Sequence, residues 1–135
     1  MIRRLRLAGH QVTPARAAVV ETIAALGRPF TAGELCAAVA ARAPSVGRAT
    51  IFRTLELLEE EGLVARLYRR SGPSYVLCDA AHPARSRHFL VCVACDGVAE
   101  FDDPRLAALL QSVAQHQAFR PESDFVEIFG RCRAC

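Results

Sequence analysis

The sequence predicts an α+β chain: an N-terminal winged helix-turn-helix over residues 1–78, then a small α/β unit over residues 79–135 with a three-stranded antiparallel sheet and one helix. Three observations predict this. Three capped helical stretches are followed by two short β-type runs around a turn, within residues 13–77. Two cysteine pairs, Cys92-Val93-Ala94-Cys95 and Cys132-Arg133-Ala134-Cys135, bracket most of the second half. The charge is also unevenly divided, because all seventeen basic residues are Arg, eleven of them facing six acids in residues 1–78 and six facing eight acids in residues 79–135.

Taken in order, residues 2–8 suit a short basic helix that ends at Gly9. Thr13 and Pro14 then supply an N-cap and a first helical position. Ala15, Ala18, Val19, Thr22, Ile23 and Leu26 fall on one face of that helix, and Gly27 closes it. His10, before it, is expected to be a solvated loop residue. Thr31-Ala32-Gly33-Glu34 is a capping box that opens a second helix with Leu35, Ala38 and Val39 inward. Cys36 on that helix is expected to be a small core residue. Ser45 is expected to cap a third helix from Val46 to about Glu61, with Ile51, Leu55 and Leu58 buried and Gly62 as terminator. Residues 63–67 and 75–77 around Ser71-Gly72-Pro73 complete a wing.

The third helix carries the chemistry of the first half. Its outward face holds Arg48, Phe52, Arg53 and Glu56. Arg48 and Arg53 can fork onto guanine edges or phosphates, Thr50 can bond either, and Phe52 can meet a thymine methyl. Arg69 and Arg70 stand at the wing tip, where a hairpin reaches the DNA backbone or minor groove. Arg16 and the cluster Arg3, Arg4 and Arg6 add phosphate contacts. A solvated arginine face on a protein-binding module is the competing reading.

The cysteine pairs suit tetrahedral Zn²⁺, because a two-residue gap lets both sulfurs of a pair face one ion while a second pair completes the shell. The first pair lies between the strand-like stretches 89–91 and 97–101. The second follows the stretch 125–129. Thirty-six residues separate Cys95 from Cys132, so such an ion would hold the 132–135 segment against a distant hairpin. Four protein ligands leave no place for a substrate water, which makes the role structural. Disulfides or a dithiol redox pair compete with this reading. Disulfides need an oxidising compartment, and a thioredoxin-like pair sits at a helix N-terminus rather than in a hairpin turn. No apolar run reaches membrane-spanning length, the basic N-terminus lacks a signal core, and a cytoplasmic location is expected.

Between these stretches, Asp103-Pro104 opens a helix with Leu106, Leu109, Leu110 and Val113 in one stripe, expected to pack on the sheet. A small sheet covered by one helix leaves a face or edge to bury, so pairing with a second copy is the natural completion.

Val12-Thr13-Pro14-Ala15-Arg16, the segment Ala49–Leu58, Glu61-Gly62-Leu63-Val64, His88–Cys95, Val98–Phe101 and Phe129–Cys135 together resemble the ferric uptake regulator family of metal-sensing repressors. The resemblance covers nearly the whole chain. It implies a dimeric, metal-activated transcription factor that binds double-stranded DNA operators, with residues 79–135 as the dimerisation and metal-binding domain. The family usually has Val-Tyr at Ile51-Phe52 and Gly at Asp96, and a histidine-rich run where this chain keeps only His82 and His88.

A regulator needs a second site whose occupancy changes. Cys78, His82, His88 and Glu100 are the candidates, a Cys, His₂, Glu set that suits Zn²⁺. They come from the hinge and the adjacent hairpin. The set is similar to the sensing site of the zinc uptake regulator branch, although that branch often adds a ligand near Leu67, and His82, Asp79 and water compete for the fourth place here. His116 and Asp124, with Glu100 shared, resemble an alternative metal position in iron and manganese sensors. The sequence therefore implies a zinc-sensing repressor of metal-uptake genes, bound to palindromic operators when metal is replete. An iron, manganese or peroxide sensor is the near alternative, and a zinc hydrolase or thiol redox enzyme the remote one. No convincing general base stands beside an open metal position, so neither an enzyme nor a small organic substrate is expected.

Overall fold

Residues 1–69, 72–78 and 86–135 are described by a computed structural model, and they fall into two units, Met1–Cys78 and Asp79–Cys135. The first unit begins with α1 (Ile2–Leu7), anchored by the fully buried Leu5. Helix α2 (Pro14–Leu26) starts as the sequence indicates: Thr13 Oγ1 accepts the Arg16 N–H at 3.2 Å, and Pro14 fills the first position, where no N–H is needed. Gly27 ends it at φ 60°. Val19, Val20, Thr22 and Ile23 are buried, and the Thr22 hydroxyl donates to the Ala18 carbonyl at 2.7 Å, so its polar atom is satisfied.

Helix α3 (Ala32–Arg42) opens on the expected capping box. Thr31 Oγ1 accepts from Glu34 N–H at 3.1 Å, and Glu34 Oε2 accepts from Thr31 N–H at 2.7 Å. The second of these, with Arg28 donating to Glu34 Oε1 at 2.7 Å, favours the charged carboxylate. The Thr31 N–H, followed by Arg28, accordingly pulls the Glu34 pKa down to about 2.

Helix α4 (Arg48–Glu60) begins later than its sequence suggests, and Ser45 does not cap it. The Val46 N–H bonds to the Ala43 carbonyl at 3.0 Å, which closes a turn through Pro44 and Ser45 and leaves Gly47 as N-cap. Ile51, Thr54, Leu55, Leu57 and Leu58 are buried, each large apolar side chain contributing roughly 1.5–3 kcal/mol. Gly62 takes φ 61°, letting the Leu63 N–H reach back to the Leu58 carbonyl at 2.8 Å. Strands β1 (Val64–Arg69) and β2 (Gly72–Leu77) pair antiparallel, from Val64 with Leu77 to Arg69 with Gly72. Phe30 bridges to Tyr75 through reciprocal N–H···O bonds of 2.9 and 2.7 Å, with the rings stacked at 5.9 Å. Four helices and a hairpin thus enclose one apolar cluster from Leu5 to Tyr75, the winged-helix arrangement predicted.

The second unit contains β3 (Ser86–Cys92), β4 (Val98–Phe101), α5 (Pro104–His116) and β5 (Asp124–Gly130), in sheet order β4-β3-β5. β3 and β4 are antiparallel, with His88 opposite Phe101 and Phe89 opposite Glu100. The sheet is nevertheless mixed, not wholly antiparallel as expected. The α5 crossover carries the chain back across the sheet, so β5 runs parallel to β3, pairing Ser86 with Asp124 through Cys92 with Gly130. Helix α5 is capped as predicted, Asp103 accepting from the Arg105 N–H at 2.9 Å; of its apolar stripe Leu106 and Leu110 are half-buried, while Leu109 and Val113 are more than half exposed and no residue of the helix is fully buried.

Candidate metal centre and recognition face

The mixed sheet brings the two cysteine pairs together. Because β3 and β5 are parallel neighbours, Cys92 at the end of one strand lies level with Gly130 at the end of the other, and Cys132 follows two residues later. The Val93 N–H bonds to the Gly130 carbonyl at 2.8 Å, extending the pairing into the first knuckle. That knuckle turns back through Cys92 N–H to Gly97 O and Asp96 N–H to Cys92 O, both 2.9 Å. Asp96 takes φ 57°, a left-handed conformation that Gly adopts freely and Asp tolerates. Gly97 has a separate reason: a Cβ there would lie 3.2 Å from Cys95 Sγ, so a side chain would push the sulfur aside.

The four sulfurs of Cys92, Cys95, Cys132 and Cys135 lie within 4.8 Å of one another. Cys95 Sγ is 3.9 Å from Cys132 Sγ, which is 3.5 Å from Cys135 Sγ. A disulfide needs about 2.05 Å, whereas a tetrahedral shell with Zn–S bonds of about 2.3 Å places its sulfurs about 3.8 Å apart. No two of the cysteines are joined by a disulfide. The backbone also prepares the charge. Cys92 Sγ accepts the Cys132 N–H at 3.3 Å, and this bond, with those from Cys95 and Ala94, lowers the Cys92 pKa to about 6. Hydrogen bonding to the Cys132 and Cys95 sulfurs instead raises Cys135 to about 12. The cluster thus favours a thiolate at Cys92 and opposes one at Cys135, and a bound dication would offset the charge of the full set. This donor set fits a structural Zn²⁺ ion.

The other predicted metal ligands behave differently. Cys78 is half-buried, with its N–H on the Leu63 carbonyl at 3.1 Å and Sγ 4.0 Å from the Val76 carbonyl. His82 lies outside the described residues. His88 is buried, its Nε2 2.8 Å from Asp124 Oδ2 and its ring 5.5 Å from Phe101. Glu100 Oε1 accepts from Arg87 Nη1, and both side chains are buried or nearly so, 5% and 11% exposed for Arg87 and Glu100. Directly opposed residues share a sheet face and neighbours alternate. The pairing of Phe89 with Glu100 and of His88 with Phe101 therefore puts His88 and Glu100 on opposite faces of the sheet. The structure does not bring these two together. His116 is exposed on α5 and Asp124 faces His88, so these do not gather around Glu100 either. Among the described residues, no other three His, Cys, Asp or Glu side chains converge as the four cysteines do.

On the recognition side, α4 turns Arg48, Phe52, Arg53 and Glu56 outward, and Thr50 is half-buried, its carbonyl accepting the Thr54 hydroxyl at 2.7 Å. Arg16 is partly committed, since its guanidinium donates to the Gln11 carbonyl. Arg69 is half-buried beside Gly72 at the wing tip, and Arg70 lies outside the described residues. Arg3 and Arg6 are exposed on α1 and Arg4 is half-buried. His10 is not simply solvated: its Nε2 sits 2.7 Å from Glu61 Oε1 and ties the α1–α2 loop to the end of α4. No local signal marks that pair, whose members are 51 residues apart. Arg87 and Gly97 were likewise missed, though a glycine two residues after a metal-type pair is a readable sign of close backbone approach.

Comparison with known proteins agrees with this geometry. A model described as the ferric uptake regulator family matches residues 7–129. A zinc uptake regulation protein of Mycobacterium tuberculosis is 33% identical over 128 residues, covering 95% of this chain and 96% of the relative. The solved structure of holo XcZur is 30% identical, with a TM-score of 0.79 over 98% of this chain and 92% of that one. A zinc uptake regulator complexed with zinc and DNA shares the fold at a TM-score of 0.82 and 23% identity, covering 97% of this chain and 87% of that one.

Proposed function

The chain belongs to the ferric uptake regulator family, and on that premise we propose that it is a zinc-responsive transcriptional repressor, cytoplasmic and not an enzyme, which binds palindromic DNA operators as a homodimer. The observation that carries the reading is the division of α4 into a buried face, Ile51, Thr54, Leu55 and Leu58, and an outward face, Arg48, Phe52 and Arg53. In a helix-turn-helix, the second helix of the motif enters the major groove, and this outward set supplies guanidinium forks for guanine or phosphate and an apolar ring for a thymine methyl. Arg16, Thr50, Arg69 and Arg70 supplement it. The 33% identity to a zinc uptake regulation protein favours zinc over iron, manganese or peroxide.

Cys92, Cys95, Cys132 and Cys135 would hold the structural Zn²⁺, which when bound neutralises the thiolates and fixes the two knuckles to each other. Helix α5 and the half-exposed sheet, with Leu90, Phe125, Ile128 and Phe129 open to solvent, are suited to close against a second copy. An exchangeable ion at the hinge would take Cys78 with donors from the His82, His88 and Glu100 segment; because His88 and Glu100 face apart, at most one of these two joins. That ion would favour the domain orientation in which two recognition helices sit about one DNA turn apart, and a near-complete switch needs a preference of ~5.5 kcal/mol for the active form. Fluorescence anisotropy on a palindromic duplex tests this. Wild-type binding should rise steeply with Zn²⁺ while Cys78→Ser loses that dependence, and equal zinc dependence in both proteins would remove Cys78 from the sensing role.

A further inference from the structure

We propose that Arg87 occupies the cation position at Glu100, so that this carboxylate belongs to an internal ion pair and is withheld from the exchangeable metal. The inference deepens the reading above and rests on its second zinc ion. Glu100 stands opposite Phe89 in the β3–β4 ladder, and Arg87, two residues before Phe89, shares its face and lies diagonal to Glu100. Its Nη1 donates to Glu100 Oε1, with the Arg87 side chain only 5% exposed and that of Glu100 11%. In so little water the two charges are strongly coupled, and breaking the pair by removing either member is costly.

The chemistry of arginine makes the pair exclusive. A histidine or lysine beside a metal-binding carboxylate can release its proton and step aside, but a guanidinium stays charged under any condition in which the chain is folded. A divalent ion on Glu100 would therefore meet a fixed positive charge at contact distance. The opposite face offers no route around this, because His88 is engaged with Asp124 there. Arg87 is thus a specificity-determining residue for metal uptake: it decides which donors the second Zn²⁺ finds, and it excludes Glu100 from them.

The experiment uses the full chain carrying one Zn²⁺ per protomer and titrates further Zn²⁺ against a chromophoric chelator. Glu100→Gln should leave the second-site affinity within about threefold of wild type, whereas Arg87→Gln should tighten it tenfold or more, or add a further equivalent, a change of at least about 1.4 kcal/mol. The double variant should lose that gain, which a merely structural role for Arg87 would not predict. A tenfold or greater loss of the second zinc in Glu100→Gln alone would overturn the inference by making Glu100 a ligand. If Arg87→Gln does not fold, the Glu100→Gln arm decides in the same terms. If wild type takes up no second zinc, the sensing proposal fails; a Glu100-dependent gain in folded Arg87→Gln would still support the ion-pair inference, and no gain would overturn it.

Discussion

The two units solve the same problem in opposite ways. In Met1–Cys78, apolar side chains from four helices and a hairpin bury one another: Leu5, Val19, Ile23, Phe30, Leu35, Val39 and Leu58 are fully shielded. Among the described residues of Asp79–Cys135 only Phe89, Val91 and Cys92 join the buried apolar set, alongside the charged or polar Arg87 and His88, and most of the large exposed apolar side chains among the described residues lie here, including Leu109, Phe119 and Phe125. A small domain with too little apolar burial needs a staple or a partner. The first unit holds itself, and the second is built to be held. Within this chain, interior and interface are therefore made from the same residue types, and what separates them is whether one copy supplies both surfaces.

The largest test of this contrast is metal withdrawal. Strong chelation of zinc-loaded protein, or Cys132→Ser, removes a binding energy of roughly 10–16 kcal/mol in small zinc modules. Amide hydrogen exchange should then show β3, β4 and β5 losing protection while α2, α3 and α4 keep theirs; equal loss in both units would break the distinction. A mid-sized effect comes from the self-sufficient side. Ile23→Ala, at a fully buried position, should cost about 2–5 kcal/mol in denaturant melts of the first unit, with the same cost whether or not chelator is present.

The smallest effect sharpens how local the first unit's stability is. Glu34 has its folded pKa lowered from 4.5 to about 2 by the Thr31 N–H and Arg28, so its contribution is complete above pH 4.5 and is lost as pH falls towards 2. Thr31→Ala should cost about 1 kcal/mol at pH 7 through loss of the cap. Glu34→Gln should be less stable than wild type at pH 7, with the difference shrinking progressively below pH 4.5; a difference independent of pH would deny the carboxylate this role.

Legibility in the sequence follows the same divide. Capping boxes, Pro at first helical positions and the α4 stripe are encoded within a few residues, so the winged helix could be read directly. The cysteine spacing was equally plain because metal chemistry restricts it. What failed to show depends on strand register or on a second copy. Nothing local reveals that Glu100 lies opposite Phe89 rather than His88, and a slip of one residue would exchange the two faces. That register, invisible in the local sequence, is what sets His88 and Glu100 apart. The direction of β5 depends on how the chain crosses the sheet, and the stripe on α5 looks like any core-facing stripe until its neighbours are known.

The parallel pairing of β3 with β5 has one more consequence. Since the knuckles leave adjacent strand ends, closure at the sulfurs is set by the ladder and is nearly indifferent to the length of chain joining the strands. Doubling a flexible connection adds only about 0.6 kcal/mol of closure entropy. The solvent-exposed stretch 117–122, between α5 and β5, is accordingly where a reporter peptide or a cleavage sequence could be spliced into this regulator with little disturbance to its fold.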